Sequence, residues 1–359
     1  MPKVLFIATH RPDRSPSQRF RFEQYLDYLK ANRWDYDFSY LITEKADKVF
    51  YRKGHFFQKL FIILRGFLIR LNDVMRANRY DIIFIQREAF ITGTTFFEKR
   101  FSKSKAKLIF DFDDSIWLSN VSDANKKWNW LKNPDKTRKI ISFSDLIFAG
   151  NAYLAEYALQ FNKQVTIIPT TIDTDEYRRM DIKNDTICIG WSGSITTIQH
   201  FEYALPFLKE IKDRYGDSIS IKVIGDSSYT NTELGIQGIG WNKADEIREL
   251  SGMDIGIMPL PDDEWAKGKC GLKGLQYMAM GIPTIMSPVG VNSEIIQDGT
   301  NGFLASGQAE WVEKIARLID EESLRKSVGK AGRETVLKQY SVEANKALYL
   351  HHFNQLIQP

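Results

Sequence analysis

The sequence predicts an α/β protein built from two doubly wound, Rossmann-like domains that face each other across a cleft. Three observations predict it. Short, continuous apolar runs alternate with longer helical patterns, as they do when parallel sheets are covered on both faces. The series of runs stops near residue 170 and restarts near residue 187. The 359 residues suffice for two domains that each bury a core.

The first series comprises KVLFIAT (3–9), DFSYLIT (37–43), DIIFIQR (81–87), KLIFDFDD (107–114), LIFAG (146–150) and VTIIPT (165–170). The second comprises ICIGWSG (187–193), ISIKVIGD (219–226), IGIMPL (255–260) and PTIMSP (283–288). Between them TTIDTDEYRRMDIKNDT (170–186) is polar and poor in pattern. The expected domains are therefore 1–170 and 187–340, with 171–186 as linker. The last segment, 341–359, reads as a helix started by a serine cap and packing back onto the first domain.

In open α/β sheets ligands bind beyond the carboxyl ends of the strands, and that is where informative residues cluster. After the first strand, HRPDRSPSQRFRFEQYLDYL (10–29) crowds Arg11, Arg14, Arg19 and Arg21 around a helix start near Ser17. Arginines there suit a phosphate or carboxylate; a solvated charged loop is the alternative. FDFDDSIW (110–117) places Asp111, Asp113 and Asp114 at a strand end. Such carboxylates either accept bonds from sugar hydroxyls or cap a helix, and Trp117 adds a stacking surface. No histidine joins them, which disfavours a metal. Gly150-Asn151 reads as a turn and N-cap. In the second domain IGWSGSITTIQHFEYALPFL (189–208) runs a strand into Gly193 and Ser194, where backbone N–H groups suit a phosphate. It is neither a P-loop nor a dinucleotide fingerprint.

The stretch DDEWAKGKCGLKGLQ (262–276) is the most informative. Lys269, Lys273 and Gln276 are spaced to share one helix face. Cations at a helix start oppose its dipole, and a bound pyrophosphate removes that penalty. Gly268 and Gly271 permit close backbone approach, Gly274 keeps the helix face bare, and Gln276 reaches a ribose hydroxyl. Two solvent-facing lysines are the plainer alternative.

The run QYMAMGIPTIMSPVGVNSEIIQDGTNGFLA (276–305) resembles the nucleotide-binding domain of family 4 glycosyltransferases, enzymes of the GT-B fold that use nucleotide-diphospho-sugars. The resemblance covers most of 187–340 and, by topology, 1–170. It implies a retaining, metal-independent transfer from a UDP- or GDP-sugar to a saccharide or lipid-linked acceptor in bacterial surface polysaccharide or glycan assembly, with no cofactor besides the donor. On this reading the donor contacts Gly193, Ser194, Lys269, Lys273 and Gln276, while Asp262 to Glu264 and the turn holding Val289, Gly290 and Asn292 orient its sugar. Asp113, Asp114 and Glu264 are the catalytic candidates, and Arg14, Arg19, Arg21 and Trp117 the acceptor-binding ones. The chain departs from the family at Gln276, where relatives hold a glutamate, and at Gly268, where its partner glutamate stands. SGSITT also lacks the family's arginine, and SPSQRFRF its glycine pair. A nucleotide-sugar epimerase using Asp113 and His10, or a degenerate binding or scaffold protein, are the rival readings.

Two cysteines, Cys188 and Cys270, imply no disulfide framework. The apolar start is too short for a secretory signal and no run spans a membrane, so a cytoplasmic location is expected, with peripheral attachment to the inner face of the plasma membrane. Residues 51–107 hold 13 Lys/Arg and 4 Asp/Glu, in a chain whose net charge is only +4. No nucleic-acid module accompanies this surplus. Within HFFQKLFIILRGFLIRLNDVMRAN (55–78), Leu60, Ile63, Leu64, Phe67, Leu68 and Leu71 form one face, expected to point at the core. Lys59, Arg65, Arg70 and Arg76, with Ile62 and Ile69 among them, form the other, which suits an anionic membrane; a core helix with two stray exposed isoleucines is the equal alternative.

Overall fold

The structure is a computed structural model that describes residues 1–52, 54–118, 133 and 135–358. It divides into two units, residues 1–170 with 346–359, and residues 171–345.

The first unit holds six parallel strands: β1 (Lys3–His10), β2 (Asp35–Ile42), β3 (Ile82–Gln86), β4 (Lys107–Phe112), β5 (Leu146–Ala149) and β6 (Val165–Ile167). Their spatial order is β2-β1-β3-β4-β5-β6. Val4 to Ala8 and Ile82 to Ile85 are wholly buried, because helices cover both faces and each side chain of these runs finds apolar neighbours. The chain changes winding direction between β1 and β3, so their carboxyl ends flank a switch point.

The second unit holds β7 (Ile187–Ser192), β8 (Ile219–Ile224), a small hairpin of β9 (Thr230–Asn231) and β10 (Ile236–Gln237), then β11 (Ile255–Met258), β12 (Thr284–Met286) and β13 (Phe303–Leu304). The main sheet is parallel, ordered β13-β12-β11-β7-β8. Its switch point lies between β7 and β11. The segment read as a linker is fastened to this unit: Tyr177 is buried, and Arg179 donates to the carbonyl oxygens of Ser251 and Met253 at 3.2 and 2.6 Å.

The final helix is Val342–Ile357. The Ser341 hydroxyl accepts from the Ala344 N–H at 3.1 Å, the expected cap. Tyr349 stacks on Tyr25 with centroids 4.4 Å apart, and Phe353 stacks at 5.0 Å on Tyr349. Pro359, the last residue of the predicted helix, lies outside the described residues. Asn151 caps its helix as read, accepting from the Leu154 N–H at 2.9 Å.

One expectation is inverted. In the helix Phe56–Arg76 the face with Ile62, Gly66, Arg70 and Asp73 is buried, while Leu60, Leu64, Phe67 and Leu68 are exposed. Arg70 is the reason. Its guanidinium donates to the carbonyl oxygens of Ala89 and Ala8 at 2.5 and 2.7 Å, to Ser39 Oγ at 2.8 Å and to Asp73 at 2.9 Å. A buried charge is tolerated when paired and fully hydrogen-bonded in this way. Gly66 lets the helix settle onto Leu41 and Phe90, which lie 3.4 Å from where a β-carbon would sit. Arg70 therefore does not face solvent or lipid.

Candidate functional site

In the second unit four loops meet beyond the strand ends. The first follows β7. Ser194 opens a short 3₁₀ turn as a capping box with Thr197. Its N–H donates to Thr197 Oγ1 at 2.9 Å, and the Gly193 N–H donates to the Ile224 carbonyl oxygen at 2.9 Å. The two amides assigned to a phosphate are thus engaged, one by β8 and one within the loop, a correction to the sequence reading. Gly193 is required instead by packing: a β-carbon there would lie 2.1 Å from the Trp191 ring.

The second loop follows β11. Asp263 is an N-cap, accepting from the Ala266 N–H at 2.7 Å, and opens the one-turn helix Glu264–Lys267. Glu264 is exposed and pairs with Lys267 at 2.7 Å, and Asp262 is exposed beside it. The next helix is Leu272–Ala279, with Gly271 as N-cap at φ +69°, a conformation glycine adopts without cost. Lys269 therefore precedes the helix, and only Lys273 and Gln276 of the expected trio lie on it. Both lysines remain half-buried. Lys269 Nζ sits 5.2 Å from the Trp265 centroid and Lys273 Nζ 5.5 Å from that of Trp191. Gly274 faces the sheet, not a ligand: a β-carbon there would meet Met286 at 1.8 Å.

Gln276 is corrected most sharply. It is 4% exposed and donates to Tyr177 Oη at 3.1 Å and Glu246 Oε1 at 3.2 Å. Tyr177 donates to Glu246 Oε2 at 2.9 Å, and Trp241 Nε1 to Oε1 at 3.0 Å. This net ties three segments of the unit together and occupies both amide hydrogens of Gln276 within the protein, a correction to its reading as a ribose contact.

The third loop follows β12. Gly290 has φ +56°, and a β-carbon there would lie 2.6 Å from the Lys267 carbonyl oxygen, so this turn presses on the lysine loop. Val289 is buried. Asn292 is wholly buried; its amide donates to the Ser287 carbonyl oxygen at 3.0 Å, while Oδ1 has no partner and lies 3.6 Å from the β-carbon position of Gly271. Gly225, after β8, completes the set: its β-carbon position is 2.5 Å from the Gly193 carbonyl oxygen.

Two residues absent from the sequence reading belong here. Among the described residues nothing partners Nδ1 of His200, 4% exposed, or Nε1 of Trp191, 1% exposed. Burial, then the charges of Lys273 and Lys269, push His200 down to about 4, so it is neutral at pH 7. Buried polar groups are nearly always bonded. Among the described residues three such orphans, Trp191 Nε1, His200 Nδ1 and Asn292 Oδ1, lie in the loops that carry or neighbour Lys269 and Lys273; the first can only donate and the last only accept. The signal in sequence was faint: a histidine and a tryptophan in an apolar strand-to-helix run look like core.

The strand ends of the first unit are arranged differently. Arg21 and Asp111 are 1% and 0% exposed and pair at 2.5 Å; Arg21 also donates to the Ile168 carbonyl oxygen. Arg14 and Arg11 both pair with Asp47, at 2.5 and 2.9 Å. Arg19 is buried and lies 5.0 Å from the Phe20 ring centroid. These arginines are tied into the protein, and Arg21 in particular is a core ion pair, not an acceptor contact. Asp113 accepts from Ser17 Oγ and Arg87 Nε, both at 2.7 Å, and Asp114 lies 3.6 Å from Arg87. Burial opposes ionisation of Asp113, but Arg87, Arg21 and Ser17 together outweigh it and hold the carboxyl below its ordinary range. An ionised, multiply bonded carboxylate orients hydroxyls better than it abstracts protons. Trp117 stacks on Tyr157 at 3.8 Å, which covers one of its faces. His10 shares a 2.6 Å hydrogen bond with Tyr51. Among the described residues no group of three or more His, Cys, Asp or Glu is placed to hold a metal.

Against known proteins, the family model described as "Glycosyl transferases group 1" matches residues 186–321. The N-acetyl-alpha-D-glucosaminyl L-malate synthase of Bacillus anthracis is 33% identical over 103 residues, 28% of this chain and 26% of that protein. An uncharacterized glycosyltransferase of Methanocaldococcus jannaschii is 41% identical over 121 residues, 33% of each. The matched segments thus span about a quarter and a third of these curated relatives. The whole chain superposes on a glycosyltransferase from Rickettsia africae with TM-score 0.70 and 15% identity, covering 99% of both. It also superposes on Anabaena HepE in complex with UDP and glucose, with TM-score 0.68 and 13% identity, covering 99% and 100%. The fold is that of these glycosyltransferase structures, two parallel-sheet α/β domains of the GT-B type.

Proposed function

We propose that the chain is a glycosyltransferase that takes its sugar from a nucleotide diphosphate donor and delivers it to a saccharide or lipid-linked saccharide. The carrying observation is the set of unpartnered Trp191 Nε1, His200 Nδ1 and Asn292 Oδ1, gathered with Lys269 and Lys273 at the switch point of the sheet that the glycosyl transferases group 1 model matches. That HepE is held with UDP and with glucose favours a UDP-sugar here.

In this reading Lys269 and Lys273 face the diphosphate and stabilise it as it leaves, an electrostatic role that grows as negative charge develops. Neutral His200 presents a further ring nitrogen to it. Asn292 Oδ1 accepts from a donor hydroxyl, and Asp113 with Asp114 orients hydroxyls of the acceptor. Transfer is retaining and needs no metal, the departing phosphate taking the acceptor proton. Incubating the protein with UDP- and GDP-sugars and a panel of saccharide and lipid-linked acceptors tests this: glycosylated product with retained anomeric configuration is expected, and a sugar isomerised in the absence of acceptor would replace the reading by an epimerase.

A binding or scaffold protein is the second reading, favoured by one observation. Gln276 is engaged by Glu246 and Tyr177, leaving no carboxylate from that helix for the donor. Tight donor binding with neither transfer nor donor hydrolysis would establish it.

A further inference from the structure

The helix Phe56–Arg76 turns outward what helices usually bury. Phe57, Phe61, Leu64, Leu68 and Met75 follow one another by four, three, four and seven residues and form a single stripe; they are 82, 68, 56, 65 and 77% exposed. Phe56, Leu60 and Phe67 widen it. Scattered exposed apolar side chains are ordinary, but a continuous apolar face marks a docking surface. Beside it lies a hollow of about 530 Å³ between this helix and Glu44–Phe50, lined among others by Val49, Phe57, Phe61, Lys45 and Arg65.

Charge selects the occupant. Residues 51–107 carry a surplus of nine positive charges, 13 Lys/Arg less 4 Asp/Glu, and two of the four acids, Asp73 and Glu98, are buried. Lys45, Arg52, Arg65, Lys99, Arg100 and Lys103 are all exposed. The helix carries one acid, the buried Asp73. A second copy of the chain would bring the same positive surface against itself. An anionic bilayer offers both complements, an acyl boundary for the stripe and phosphates for its cationic margin. Among the described residues no helix is long and apolar enough to cross a membrane, so the helix lies in the plane of the surface.

We infer that this stripe inserts into the headgroup region of an anionic phospholipid membrane, with Lys45, Arg65 and their neighbours on lipid phosphates. The inference is independent of the transferase reading, because binding is measured with no donor or acceptor present. The test is flotation of the full-length chain with vesicles of phosphatidylcholine alone or mixed with phosphatidylglycerol. Partitioning at least tenfold stronger onto the mixed vesicles is expected, falling at least tenfold in Leu64→Gln/Leu68→Gln with an unchanged melting temperature. Since Cys188 and Cys270 are buried, Leu68→Cys can be labelled selectively with an environment-sensitive dye, whose emission shifts to the blue on insertion. No flotation, flotation indifferent to Leu64 and Leu68, or no dye response overturns the inference. So does a stable lipid-free dimer that the double substitution dissociates, which would make a second copy the occupant.

Discussion

The two switch points of this molecule sit at equivalent places in their sheets and are furnished in opposite ways. In the first unit the arginines read as ligand contacts meet the protein itself, Arg21 with Asp111, Arg14 and Arg11 with Asp47, and Arg19 against the Phe20 ring, and Arg87 pairs with Asp113. In the second, buried polar atoms of Trp191, His200 and Asn292 lack partners while two lysines rest near aromatic rings. A charge cluster closed on itself holds a loop in shape. The second cluster is the one proposed above to meet a nucleotide-sugar.

The comparison is broken most forcefully at Arg21. Removing one member of a buried pair strands the other charge, so Arg21→Met should cost about 3–5 kcal/mol in urea unfolding, and Arg21→Met/Asp111→Leu should recover most of it. A single substitution that costs nothing would mean the first unit is not held by this pair. Next are the two lysines proposed to meet the donor in the second unit. Lys269→Ala/Lys273→Ala should weaken nucleotide-sugar binding at least tenfold by calorimetry, about 1.4 kcal/mol, with little change in stability; unchanged affinity removes the lysines from the donor.

Gln276→Glu gives a smaller effect. It sets a carboxylate against Glu246 and deletes a donated hydrogen bond, so stability should fall by about 1–3 kcal/mol with no gain in transfer. Increased activity would show that Gln276 reaches the donor after all. The smallest effect is in pH. His200 is held at about 4 against an ordinary 6.5. A histidine lowered on folding stabilises the protein above pH 6.5, and that contribution is lost as pH falls toward 4. A bound diphosphate reverses the bias, so donor affinity should rise roughly twofold to threefold from pH 7 to 5.5 in the wild type and stay flat in His200→Gln.

Strand after strand was legible, because a run such as Val4 to Ala8 is apolar on both faces and fits little else. The lysine loop stood out in the sequence as two cations near a helix start, although the helix begins at Leu272 and only Lys273 lies on it. The partners of the arginines were not, since Asp47 and Asp111 lie 33 and 90 residues from Arg14 and Arg21 and no local pattern joins them. Gln276 misled for the same reason, with Tyr177 99 residues away. The helix Phe56–Arg76 misled differently: periodicity located its apolar face correctly, but only Ala8, Ser39, Asp73 and Ala89 together show that Arg70, not Leu64, points inward.

The closing helix carries one last consequence, for the order in which the chain is made. Tyr349 and Phe353 complete the core of the first unit beside Tyr25, Phe84 and Phe148, and Asn354 accepts from Trp34 Nε1 at 3.0 Å. During synthesis the amino-terminal sheet emerges first and waits, with those rings uncovered, while 175 residues of the second unit, Thr171–Asn345, are translated. The first unit to be born is thus the last to be finished, and a chain cut short before Lys346 leaves the ribosome with that apolar surface open to aggregation.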